Sequence, residues 1–293
     1  MPQLPPPAAP PSAPTPALAP ESEDRPADRG PQWPLWFAPG AIALGFGLGI
    51  IATIVVDVIG HPRAGSQQTV AEALVANLVF DLGFVAAAIY FVNLRGRPRP
   101  PDFGFRRVAP WQAILAVVLA GGGYYLVTLG YASLFSLHGN DRLPAPLGTT
   151  QSTIGLTGVA VFVCVFAPVA EEFFFRGFLF GVLRRMQVTV AGRDAGTWLA
   201  AIITGILFGL AHAGSALSQD LVPLGFLGFV LCLVRWKTRS VYPCIALHSL
   251  NNSVALGATQ FHWTGGEVAG LVIGSLAVIG AFTLPLAGPP APA

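Results

Sequence analysis

Long apolar runs divide this sequence, and charge interrupts few of them. About 20 apolar residues cross a bilayer. Runs near that length predict spans over Trp36 to Ile59, Val70 to Leu94, Trp111 to Leu137, Ile154 to Leu183, Thr197 to His212, Leu221 to Val234, Val241 to Ala258 and Val268 to Leu286. The pattern is that of an all-α polytopic membrane protein with about eight transmembrane helices. The fifth and sixth runs are short, and between Thr197 and Val234 the one charged residue is Asp220. A tight helical hairpin or a partly re-entrant segment fits that stretch as well. Residues 1–33 read differently, being Pro- and Ala-rich and then polar through Glu21-Ser22-Glu23-Asp24-Arg25. They hold too little apolar surface to order themselves, so a disordered cytoplasmic tail is expected there, leaving 34–290 as the membrane domain.

Composition supports the spans: 53% of residues are hydrophobic, 10% are charged, and the mean hydropathy is +0.64, well outside the soluble globular range. The net charge of +2 matters less than its placement. Arg95, Arg97, Arg99, Arg106 and Arg107 lie between the second and third runs, Arg184, Arg185 and Arg193 between the fourth and fifth, and Arg235, Lys237 and Arg239 between the sixth and seventh, whereas the alternate loops hold Arg63 and Arg142. Basic loops stay inside, which puts both termini in the cytoplasm. No nucleic-acid partner is expected; the bilayer is the expected partner. The chain starts without the charged-then-apolar pattern of a cleavable signal and ends Ala-Pro-Ala without a lipidation box, so the spans are expected to direct targeting. The Pro-rich tail and the high Ala and Gly content suggest a prokaryotic plasma membrane. Cys164, Cys232 and Cys244 sit inside apolar runs and read as small core hydrophobes. The aromatic and basic stretch Phe103 to Trp111 suits the headgroup level, and Gly121-Gly122-Gly123 lets another helix approach the third span.

Three polar constellations interrupt the later spans: Glu171-Glu172 with Arg176, Phe208-Gly209-Leu210-Ala211-His212, and His248-Ser249-Leu250-Asn251-Asn252. A charged group at bilayer depth costs roughly 2.5–3.5 kcal/mol even on lenient scales, so these residues imply partners or a wet cavity. At ~1.5 Å per helical residue, Glu171 lies ~19 Å from Arg184, His212 ~22 Å from Thr197, and His248 and Asn252 ~14 and ~20 Å from Arg239. Acid, imidazole and amide groups thus share one layer, where they can partner each other, and a polar intramembrane cavity is expected. Glu172 and Arg176 are four residues apart on one helix face and able to pair, while Glu171 is rotated ~100° away and is the better candidate base. His248 and Asn252 have the same four-residue spacing and offer an imidazole and an amide suited to a developing oxyanion. His212 is placed to orient a water beside Glu171.

The motifs EExxxR (Glu171 to Arg176), FxxxH (Phe208 to His212) and HxxxN (His248 to Asn252), in this order on late membrane helices, resemble those of the CPBP family of CAAX-type prenyl-protein endopeptidases and bacteriocin-processing enzymes. Phe175-Arg176-Gly177 matches the usual end of the first motif, and the resemblance runs from about residue 105 to 258. It implies an intramembrane glutamic endopeptidase, a hydrolase in which Glu171 and His212 activate water and His248 and Asn252 bind the oxyanion. It also implies that Glu172 is required, with Arg176 and Phe208 in support. The substrate would be a membrane-associated peptide or protein, with or without a prenyl group, and no cofactor would be needed.

Two other readings fit the residues. Two carboxylates and two histidines are a possible Zn²⁺ set for a metalloprotease, although no HExxH helix is present. A non-catalytic immunity or scaffold protein, or a transporter, would also hold a polar cavity, but the motifs are not repeated in the first half of the chain. Asp81 lacks a surrounding motif and is expected to make a structural polar contact. Asp57, His61, His138 and His262 are expected to be solvated near outer ends.

Overall fold

The computed structural model describes residues 32–60, 69–135, 153–213 and 216–290. The tail expected over 1–33 therefore falls outside it except for Gln32 and Trp33, as do His61, Arg63, His138 and Arg142. Among the described residues the chain is built of helices: α1 (Phe37–Gly60), α2 (Val70–Asn93), α3 (Pro110–Leu134), α4 (Thr153–Leu183), α5 (Gly196–Ala211), α6 (Leu221–Thr238), α7 (Tyr242–Val254) and α8 (Gly265–Thr283). The chain is thus an all-α polytopic membrane protein. Each predicted run becomes a helix, but six are long and apolar enough to cross a membrane by length and composition. The expected count of eight is not reached on that criterion. α5 has 16 residues, and α7 is extended by a π-helical turn, Ala255–Gln260, while carrying His248, Asn251 and Asn252.

Local chemistry sets several boundaries. α2 and α8 each open with a capping box, Thr69 with Glu72 and Thr264 with Glu267, in which hydroxyl and carboxylate satisfy amides left open at the helix start. Glu72 is thereby accounted for. A hairpin that the apolar pattern does not reveal, β1 (Thr189–Val190) with β2 (Arg193–Asp194), joins α4 to α5. Ala191 and Gly192 both have positive φ, the requirement of a two-residue turn that matches strand twist.

The basic loops meet at one end of the bundle. The amide of Arg107 donates to Gly288 O, that of Gly288 to Phe105 O, and that of Val241 to Gly104 O, while Ser240 Oγ donates to Arg106 O at 2.8 Å. Phe103 and Phe105, in the aromatic-basic stretch expected at the headgroup level, do not face outward. Both are buried, and their rings pack on Phe173, because the collar of backbone bonds turns this link inward. Trp33 is buried too and packs between Phe103 and Phe178. The three cysteines are buried and free. Large apolar side chains of α1, α3 and α8, such as Ile59, Leu126 and Phe282, are exposed, as a lipid-facing surface demands.

α5 and α6 form the tight hairpin that their shortness suggests. A Cβ on Gly209 would lie 2.6 Å from Leu221 O and 3.0 Å from the Cα of Gly225, so the backbones cross with no room for a side chain, the small-residue contact that lets membrane helices associate. Gly209→Val is expected to lower stability by about 1–3 kcal/mol, read as an earlier thermal unfolding transition in detergent. Of the three consecutive glycines in α3, only Gly121 is used: its Cβ would meet Leu247 at 3.0 Å, whereas Gly122 and Gly123 face open space.

Candidate active site

The acids sit in a helix that Pro168 deforms. A proline has no N–H to donate, so the carbonyl four residues before it, that of Cys164, loses its α-helical partner. Upstream the ladder shifts: the amide of Ala167 bonds Phe162 O, five residues back, within the π-helical turn Phe162–Phe166. Val163 O then lacks Ala167 as donor, and its next candidate is Pro168. Side chains of α7 fill both vacancies. Ser249 Oγ donates to Cys164 O at 2.7 Å, and Asn252 Nδ2 donates to Val163 O at 2.9 Å. The defect therefore ties α4 to α7. Ser249→Ala would leave a buried carbonyl open, at a cost of about 1–3 kcal/mol; a lower unfolding temperature, restored in part by Ser249→Thr, is the expected measurement.

Downstream of this clamp, Glu172 and Arg176 are fully buried and paired, Oε1 to Nη1 at 2.7 Å. Arg176 Nη2 also donates to Gly228 O at 3.1 Å, and its guanidinium lies 4.3 Å from the ring centroid of Phe208. His248 Nδ1 lies 2.8 Å from the same Glu172 Oε1. These bonds offset the cost of burying the charges, although Glu172 Oε2 and Arg176 Nε are left without hydrogen-bond partners. Phe208 is the apolar wall of this cluster, its ring centroid 4.8 Å from that of His212 and 5.5 Å from that of His248.

Glu171 points elsewhere. Its Oε2 is buried and without a hydrogen bond, with His212 Nε2 at 3.8 Å and His248 Nε2 at 3.9 Å. These gaps are too long for direct hydrogen bonds and suit a water touching all three. His212 Nδ1 lies 2.8 Å from Phe208 O. A carbonyl only accepts, so Nδ1 carries a proton and Nε2 is the nitrogen turned toward Glu171. Glu171 and His212 line a cleft of about 100 Å³, together with Asp81, Asn77 and Phe175, room for a few waters.

The sequence-predicted residues thus divide. Glu171 and His212 reach the cleft. Glu172, Arg176 and Phe208 stand behind it, and His248 bridges the two layers. Asn252 is not part of the acid cluster: at least one of its amide protons holds Val163 O, because the π turn draws α4 toward α7 at that point. Asn251 is held from α3, accepting from Tyr125 Oη at 3.3 Å. Asp81, expected to make a structural contact, instead lines the cleft with no hydrogen bond or ion pair among the described residues. A zinc set is not assembled. Among the described residues no group of three or more His, Cys, Asp or Glu side chains could hold a metal ion, and Glu172 and His248 are already bonded to Arg176 and to each other. Sequence reasoning missed Asp81 and Ser249. The signals were a carboxylate inside an apolar span and a proline inside a helix, which together ask where the freed carbonyls and the lone acid find partners.

Residues 153–254, the stretch that contains every one of these motif residues, match the family model described as type II CAAX prenyl endopeptidase, Rce1-like. This segment is similar to that family. Comparison with curated proteins and with solved structures gave no match. The family is one of endopeptidases and implies protease activity, and the apolar helices make the chain an integral membrane protein.

Proposed function

We propose that the cleft hydrolyses a peptide bond of a membrane-associated or prenylated substrate by a glutamate mechanism that needs no metal. The observation that carries this reading is the unpartnered Oε2 of Glu171, set between the Nε2 atoms of His212 and His248 at one-water spacing. Glu171 accepts a proton from a water that His212 orients through its Nε2 lone pair. The resulting hydroxide adds to the substrate carbonyl carbon. The negative charge that develops on the carbonyl oxygen is received from the α7 side, by the second Nδ2 proton of Asn252 and by His248, whose Nδ1–H donates to Glu172 and whose Nε2 donates in the doubly protonated ring. Collapse returns the proton from Glu171 to the departing amine nitrogen, so the products are a carboxylic acid and an amine. Glu172 and Arg176 hold His248 by its Nδ1 and keep the imidazole aimed at the reacting oxygen.

Both termini are proposed to lie in the cytoplasm of a prokaryotic cell. The basic loops gather at the end of the bundle where Trp33 and Gly288 sit, as the positive-inside rule requires. The reading is tested with purified protein in proteoliposomes and a lipid-linked peptide. Wild-type cleavage that survives chelator treatment but is lost in Glu171→Gln is the expected result. Loss of activity with a stoichiometric metal, or cleavage by Glu171→Gln at the wild-type rate, overturns it.

A further inference from the structure

A second cavity, of about 390 Å³, adjoins the cleft. Its walls are apolar side chains of α2, α4 and the 98–105 link, and the charged residues that line it are Asp81 and Arg99. Cavity and cleft share two residues, Asp81 of α2 and Ala170 of α4, so the two spaces meet at these side chains. Asp81 is therefore the polar group at the junction, with Ala170 too small to block it.

Among the described residues no partner accounts for a carboxylate there. An acid in a membrane span is costly unless it is paired or faces a wet cavity. No described residue gives Asp81 a hydrogen bond or an opposite charge; its electrostatic neighbour is Glu171, a second acid. His212, across the cleft, turns its Nδ1 to Phe208 O and its Nε2 toward Glu171, and Arg99, which also lines the cavity, is paired with Asp102 through both its amide and its guanidinium. A structural acid would have a donor. This one faces the route to the reacting carboxylate.

We propose that Asp81 is a specificity-determining residue that contacts the substrate, favouring peptides with a basic or hydrogen-donating side chain beside the scissile bond and disfavouring acidic ones. The inference rests on the peptidase reading of the cleft. A substrate cation or donor at the junction meets two carboxyl groups in a low-dielectric space, whereas a substrate carboxylate is brought against the same two acids with no donor between them, and a juxtaposition of that kind sets specificity by disfavouring one class as much as by favouring the other.

The test uses the full chain in proteoliposomes with a randomised peptide library, offered free and joined to a lipid chain, with the cut products sequenced by mass spectrometry. Wild type is expected to yield cuts enriched in flanking Lys and Arg and depleted in Asp and Glu. Asp81→Asn, close to isosteric, is expected to weaken that preference about tenfold, a change well within reach of one charge pair in a protein interior. Asp81→Lys should invert it, and Asp81→Glu should keep it. Each preference is a ratio within one variant's products and so does not depend on how much enzyme folds; should Asp81→Lys fail to fold, Asp81→Asn decides. If Glu171→Gln is silent while the Asp81→Asn profile matches wild type, the role of Asp81 is wrong and the peptidase reading stands. If wild type cuts nothing, or Glu171→Gln releases the same products as wild type, both fall together.

Discussion

Replacing Glu171 by Gln is expected to slow cleavage by about 10²–10⁴-fold, the usual contribution of a positioned general base. The amide has the size and shape of the carboxylate but cannot take a proton from water, so kcat should fall while KM stays near its wild-type value. Stability should not fall with it. Oε2 of Glu171 has no hydrogen bond to lose, and removing a charge from a cleft that also contains Asp81 relieves repulsion. Activity and unfolding measured on the same preparation separate the two effects. A variant that loses activity only in proportion to lost folded protein would contradict the assignment.

Replacing Arg176 by Met has the opposite signature. It leaves Glu172 fully buried with its counter-charge gone, and it strips a donor from Gly228 O. Breaking one side of a buried ion pair costs about 3–5 kcal/mol, because the remaining charge is uncompensated. Unfolding in detergent should therefore come markedly earlier. The double variant Arg176→Met with Glu172→Gln should recover part of the loss, since the orphaned charge is then absent. Equal unfolding temperatures for wild type and Arg176→Met would show that neither the buried pair nor the bond from Arg176 to Gly228 of α6 contributes to stability. Activity should fall as well, because Glu172 Oε1, shared by Arg176 and His248 Nδ1, would no longer be fixed.

The spans were legible because bilayer thickness imposes a length and the apolar runs meet it. The predicted start of α2 at Val70 coincides with the observed one, and that of α4 at Ile154 falls one residue inside Thr153. The four-residue spacing of Glu172 and Arg176 foretold their contact even though a π-helical turn, Phe173–Leu179, lies across it. For His248 and Asn252 the same spacing did not foretell the partners. Equal spacing puts two side chains on one face, but what each meets depends on the neighbouring helix. His248 meets Glu172, whereas Asn252 meets a carbonyl that Pro168 left open. Similarly, Phe103 and Phe105 carry the composition of an interfacial stretch, yet backbone bonds to Val241 and Gly288 draw them into the core.

By itself the sequence determined which segments form apolar helices, which charges interrupt them, and which of those charges share a helix face, because hydrophobic length and helical period act within one segment. Tertiary structure decided the rest. It placed Glu171 and His212 on the cleft and Glu172 and Arg176 behind it. It brought Asp81, 90 residues away along the chain, to the same cavity, and gave Ser249 and Asn252 the carbonyls of α4. Those outcomes depend on the rotation and closeness of helices, set by glycine contacts such as Gly209 against Leu221 and by a proline defect whose consequences appear only when a second helix supplies the missing donors.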